Sequence, residues 1–189
     1  MNRNFSHGTR GDLYRLDDEW WFMDNWDRDS QDADWQYKGS DNPGRYRTEW
    51  MKRSNEVEDD YTELIGFFKK VSAGQFDEMD RLLDVDAVLK YIAVRGYIAD
   101  WDTFTMGRGK NAFFYQRPSD GKNQFLLWDS DLAFGDATSG FYGRRVAAWL
   151  ERPHIRRLFH YYLAELHEKF AKNSPRLRAW LQADEDASA

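Results

Sequence analysis

A pair of apolar segments joined by a turn, with a long apolar helix ahead of them, constrains this chain more than any other feature. Ala112-Phe113-Phe114-Tyr115 and Gln124-Phe125-Leu126-Leu127-Trp128 flank Pro118-Ser119-Asp120-Gly121, and that order spells a β-hairpin. Upstream, Asp84 can cap a helix carrying Val88, Leu89, Tyr91, Ile92 and Ile98, running to about residue 100. Its apolar residues fall on more than one side, so it is predicted to be central. A buried helix feeding a hairpin, without repeated strand–helix units, predicts an α+β fold.

Other helices are legible around this pair. Asp60 and Glu63 make a capping-box pattern ahead of Tyr61, Leu64, Ile65 and Phe68, and Gly74 closes that helix. A short helix is expected over 76–83. Pro153 suits the first position of a helix bearing Leu158, Phe159, Tyr162 and Leu166. Ser174-Pro175 is expected to start a last short helix through Leu181, with 183–189 as a frayed tail. The chain should therefore be mainly helical after residue 59. The first sixty residues read differently, as short strands and long ordered loops. Trp20, Trp21, Trp26, Trp35 and Trp50 lie there, interleaved with eight aspartates from Asp12 to Asp34 and a short apolar run over 19–23. These tryptophans read as core and loop anchors rather than stacking platforms. Asn42-Pro43-Gly44 marks a turn. The basic run Arg45, Arg47, Lys52 and Arg53 beside it is either a solvated edge strand or a contact for phosphate.

Composition excludes several classes. An aromatic share of 17% gives the means for a core and rules out wholesale disorder. The absence of cysteine removes disulfides, thiolate metal sites and thiol nucleophiles together. A net charge of −6 makes nucleic acid a poor partner. Mean hydropathy is −0.86, and no apolar run approaches the ~20 residues of a membrane helix, so no membrane is expected. No apolar signal-peptide core occurs within 1–15, which sets a cytoplasmic default. The 189 residues read as one domain.

The chemistry is concentrated between residues 96 and 135. Asp102 lies just past the helix, Asn111 enters the first strand, and Asp129 leaves the second. A hairpin returns on itself, so Asn111 and Asp129 should meet. Two carboxylates and an amide together are hard oxygen ligands of the kind Mg²⁺ or Mn²⁺ prefers. The competing reading makes Asp100, Asp102 and Asp129 helix and turn caps. Asp129-Ser130-Asp131 also fits the D-x-D of a metal-dependent glycosyltransferase, but that fold needs strand–helix units ahead of it. A phosphatase using Asp129 as nucleophile and Asp131 as acid would need the pair near the start of a long α/β domain. His7, His154, His160 and His167 lack metal-ligand spacing, and Ser6, Ser54 and Ser130 lack a Ser/His/Asp context. Gly107-Arg108-Gly109-Lys110 reads as a flexible loop without Walker spacing, from which Arg108 or Lys110 can touch phosphate.

The order Asp, Asn, hairpin, Asp parallels a protein kinase, although eight residues separate Asp102 from Asn111 and no His-Arg precedes the Asp. The sequence resembles the CotH family of spore-coat-type atypical kinases. The resemblance rests on Val88-Leu89-Lys90-Tyr91-Ile92-Ala93-Val94 leading into Asp100-Trp101-Asp102 and on Lys110-Asn111-Ala112-Phe113-Phe114-Tyr115. It continues through Leu127-Trp128-Asp129-Ser130-Asp131-Leu132-Ala133-Phe134-Gly135, and Gly11-Asp12-Leu13-Tyr14 is similar to the family's Gly-x-Leu-Tyr strand. It implies a kinase-like fold that transfers phosphate from ATP to Ser or Thr of a protein substrate, with Mg or Mn. Asp102 is then the catalytic Asp, Asn111 and Asp129 are metal ligands, and Asp131 joins or supports them. Ten residues precede Gly11, too few for the family's N-terminal lobe with its cationic Lys. The expectation is a C-terminal lobe over 1–182, weak or inactive alone: either the sequence is a fragment, or the N-lobe is another chain, or the remnant has lost catalysis. A degenerate kinase-like interaction module is the non-enzymatic alternative.

Overall fold

The computed structural model describes residues 10–17, 33–106, 109–134 and 144–188. Expectations for Ser6, His7, the 19–23 run, Trp20, Trp21, Trp26, Gly107, Arg108 and Gly135 lie outside these. The elements in order are β1 (Asp12–Leu16), a 3-10 turn (Pro43–Arg45), β2 (Trp50–Lys52), α1 (Thr62–Ser72), α2 (Phe76–Leu82) and α3 (Val85–Tyr97). The hairpin β3 (Ala112–Gln116) and β4 (Asn123–Leu127) follows, then α4 (Arg144–Leu150) and α5 (Pro153–Ser188). The strands form one antiparallel sheet in the order β2-β1-β3-β4, with the helices supplying the rest of an α+β fold.

Strand alternation sorts the sheet. Tyr14, Leu16, Trp50, Ala112, Phe114 and Phe125 are all buried, and the register sets Tyr14 beside Phe114 and Phe114 beside Phe125. Trp35 and Trp50 are wholly buried at the centre. Trp35 meets Phe67 edge-on at 5.4 Å and stacks on Phe125 at 5.8 Å. Trp50 contacts Phe68 at 4.9 Å and Phe114 at 5.5 Å. Both tryptophans are thus core anchors. α3 lies between β4 and α5, burying Val88, Leu89, Tyr91, Ile92 and Ala93, as its apolar pattern requires.

Two helix boundaries differ from the sequence reading. α1 begins at Thr62, and Asp60 Oδ1 accepts from the Thr62 amide at 2.8 Å rather than forming a capping box with Glu63. The Asp84 cap forms as expected, accepting from the Ala87 amide. α5 is a single helix with Pro175 inside it, where a new helix was expected at Ser174-Pro175, and its backbone continues to Ser188 across the segment read as a tail. Glu165–Lys169 and Glu168–Lys172 pairs support the turns ahead of the proline. The basic run extends from the 3-10 turn at Arg45 to the end of the edge strand β2 at Lys52, and two of its members are held by carboxylates. Lys52 bonds Asp12 at 2.8 Å and Arg47 pairs with Asp59.

Candidate active site at the end of the hairpin

The end of α3 and the two ends of the hairpin form one polar cluster. Past the Ile98 cap, Ala99 adopts φ 51° and turns the chain so that Asp100 is buried beneath the helix end. Asp102 follows, buried, with Trp101 on the surface. At the far side of the loop Asn111 takes φ 55° and enters β3, and Asp129 takes φ 52° on leaving β4. The next turn returns to α3, where the Phe134 amide donates to the Ile98 carbonyl at 2.6 Å with Phe134 itself at φ 64°. Asn and Asp visit left-handed backbone readily, whereas Ala and Phe there carry a steric cost. Four such residues around one loop cluster mark a place where the chain geometry is imposed by its surroundings.

Asn111 Nδ2 donates to the Asp102 carbonyl at 2.8 Å and to Asp102 Oδ2 at 3.1 Å. Lys110 Nζ lies 3.3 Å from the same Oδ2. The second oxygen, Asp102 Oδ1, is buried with no hydrogen-bond partner. A buried carboxylate oxygen without a donor is costly, and it is an acceptor held ready for a proton or a cation. Because the Asn111 nitrogen is committed to Asp102, its Oδ1 is the atom able to meet a cation. Asp129 and Asp131 are exposed, and among the described residues no side-chain hydrogen bond joins either to Asp102 or Asn111. The backbone nevertheless brings Asn111 and Asp129 together, since Ala112 pairs with Leu127 at the hairpin's open end. Asp131 stands two residues further along the turn. Trp128, Leu132 and Phe134 give the exposed rim an apolar character, and Phe113 contacts Trp128 edge-on at 5.2 Å.

Among the described residues no group of three or more His, Cys, Asp or Glu converges as a metal cage. The donor set at this site is instead two carboxylates and an amide, with an orphaned carboxylate oxygen already in place. That set fits a divalent cation sharing its coordination with phosphate and water, as Mg²⁺ commonly does. The capping alternative does not describe Asp100 or Asp102. Asp100 pairs with Arg95, and Asp102 is engaged by Asn111 and Lys110. The histidines serve elsewhere, with His167 bonded to the Tyr97 hydroxyl and His154 to Asp80.

Arg95 was not singled out by the sequence reading, and it is the most connected side chain of the cluster. The signal was available: Val88, Ile92 and Arg95 stand at i, i+4 and i+7 on a buried helix face. A cation at a core position requires dedicated acceptors.

No helix among the described residues is long and apolar enough to cross a membrane. No curated protein matches the chain. The family model described as CotH kinase protein matches residues 1–176, nearly the whole length. A match of that extent settles the relationship: the chain belongs to the CotH kinase family.

Proposed function

We propose that this chain carries the phosphoacceptor and metal side of an ATP-dependent kinase that phosphorylates a hydroxyl of a protein substrate. The single observation behind this reading is the buried Asp102, held by Asn111 and Lys110 with Oδ1 unpartnered beside the open end of the hairpin. Asp102 accepts the proton of the attacking hydroxyl at that free oxygen while Asn111 keeps the carboxylate oriented. The hydroxyl oxygen bonds to the γ-phosphorus as the bond to the ADP oxygen breaks. Asn111 Oδ1 and the Asp129 carboxylate would hold Mg²⁺ or Mn²⁺, with Asp131 supporting from the adjoining turn. A cation bound there neutralises charge on the phosphate oxygens. Lys110 adds a positive charge near the same place. One lysine meets only part of the charge that phosphoryl transfer develops, so the reading includes a second cationic element over the nucleotide, from this polypeptide or another.

The test is phosphate transfer from radiolabelled ATP to a panel of basic and acidic proteins, with Mg²⁺ and with Mn²⁺. Asp102→Asn should lower any transfer by about 10²–10⁴-fold, the usual worth of a positioned base. Transfer that survives this substitution contradicts the assignment. The rival reading is a kinase-like module that binds partners without turnover. Saturable nucleotide binding without transfer under every condition would select it. The D-x-D glycosyltransferase reading has no comparable support, since the sheet around Asp129 is antiparallel throughout.

A further inference from the structure

Arg95 is wholly buried, and its side chain touches no solvent. Its Nη1 pairs with Asp100 and donates to the Asp129 carbonyl and to Ser130 Oγ, each at 2.8 Å. Its Nη2 donates to the Asn111 carbonyl at 3.0 Å and to the Trp128 carbonyl. The guanidinium carbon lies 5.3 Å from the Tyr91 ring centroid, and Nε has no partner. A buried ion pair of this kind adds little net stability over apolar residues of the same size, so Arg95–Asp100 calls for another reason. The carbonyls supply one. Asn111 and Asp129 are the two hairpin ends with left-handed backbone, and both turn their own carbonyl onto the same guanidinium. A planar fork presents donors on two nitrogens in fixed positions and so spans the two carbonyls, whereas a lysine ammonium donates from a single point.

We infer that Arg95 is a positioning residue, which clamps the left-handed kinks at Asn111 and Asp129 together so that their side chains share one cation and its phosphates. This rests on the proposed function for what is bound, but the clamp itself is a property of the chain. Asp100 is then the counter-charge that keeps the guanidinium buried. Strand pairing brings the two kinks near each other, and the clamp fixes their carbonyls just beyond the last paired residues, Ala112 and Leu127.

Two variants of the full chain test it, Arg95→Lys and the apolar pair Arg95→Met with Asp100→Leu. Hydrogen exchange is read over residues 109–112 and 128–131, and Mn²⁺·ATP affinity is read by calorimetry. Exchange should quicken at both kinks together in either variant while α3 and α5 keep their protection. Mn²⁺·ATP should bind about 10–100-fold more weakly, the usual cost of removing an outer-shell partner. Unchanged exchange at the kinks, loosening of one kink alone, or unaltered affinity with both kinks loosened would each overturn the inference. So would unfolding of both variants, which would make Arg95 a residue of the core only. If the unmodified chain binds no Mn²⁺·ATP, the functional reading fails, and the exchange pattern still decides the clamp.

Discussion

The aromatic centre and the polar hairpin end are built from adjacent residues and obey opposite rules. Phe114 and Phe125 sit in mid-strand, surrounded by Trp35, Trp50, Phe67 and Phe104 at ring separations of 5.0–6.4 Å. A few residues along the same strands, Asn111 and Asp129 have left-handed backbone around a buried cation, and Asp102 keeps an unpartnered oxygen. The first region has no left-handed residue and is held by ring packing, with Trp35 Nε1 buried there without a hydrogen-bond partner. The second holds desolvated charge and four left-handed non-glycine residues, an arrangement that lowers stability unless something binds there. Stability and function are thus separated by a few residues of strand, and substitutions on either side should separate them too.

The largest effect belongs to the core. Trp35→Ala should cost about 3–5 kcal/mol in urea unfolding, because five neighbouring rings cannot collapse to fill the space. A loss below about 1 kcal/mol, the level of an ordinary surface change, would mean that the ring cluster is not the centre of stability.

The polar end should respond in the other direction. Ala99 occupies φ 51° with a Cβ, at a cost of ~1–2 kcal/mol that glycine avoids. Glycine's extra unfolded-state freedom takes back ~0.4–1 kcal/mol, so Ala99→Gly should stabilise by up to about 1 kcal/mol. Measured destabilisation would show that the loop is relaxed rather than imposed. Asp129→Asn should change stability by less than about 0.5 kcal/mol, since its side chain is exposed. Asparagine is the right probe because alanine would add left-handed strain of its own.

How far these regions could be read in the sequence follows from their physics. The core was legible, since apolar period and turn chemistry are local signals: β3, β4 and α3 lie where Ala112-Phe113-Phe114-Tyr115, Gln124-Phe125-Leu126-Leu127 and the Asp84 cap place them. Asn111 and Asp129 stood out because a hairpin makes its two ends neighbours, and Asp102 because it follows a helix end in the order that resembles the family. Arg95 did not stand out, since its carbonyl acceptors lie 16, 33 and 34 residues further along the chain, and a carbonyl has no side-chain identity. The continuity of α5 across Pro175 was also hidden. The proline penalty of ~3 kcal/mol is a local signal that argues for a break, and the helix nevertheless runs through it.

The smallest expected effect is electrostatic and lies far from the site. Hydrogen bonds from Thr62 hold the Asp60 carboxyl below its ordinary value of 3.8. A lowered folded value means that the stabilisation is complete above the unfolded value and is lost as pH falls through the folded one. Asp60→Ala should therefore be slightly destabilised at pH 7 and equal to the unmodified chain once both forms are protonated. A difference that persists undiminished at low pH would assign the effect to helix propensity instead.

The most direct measurement of the central claim is calorimetric titration of ATP with and without Mn²⁺, comparing the unmodified chain with Asp129→Asn. The claim predicts saturable binding that requires Mn²⁺ and disappears in Asp129→Asn, with the melting temperature of the two forms unchanged in metal-free buffer. Binding of equal strength by both forms, or binding indifferent to Mn²⁺, would contradict it.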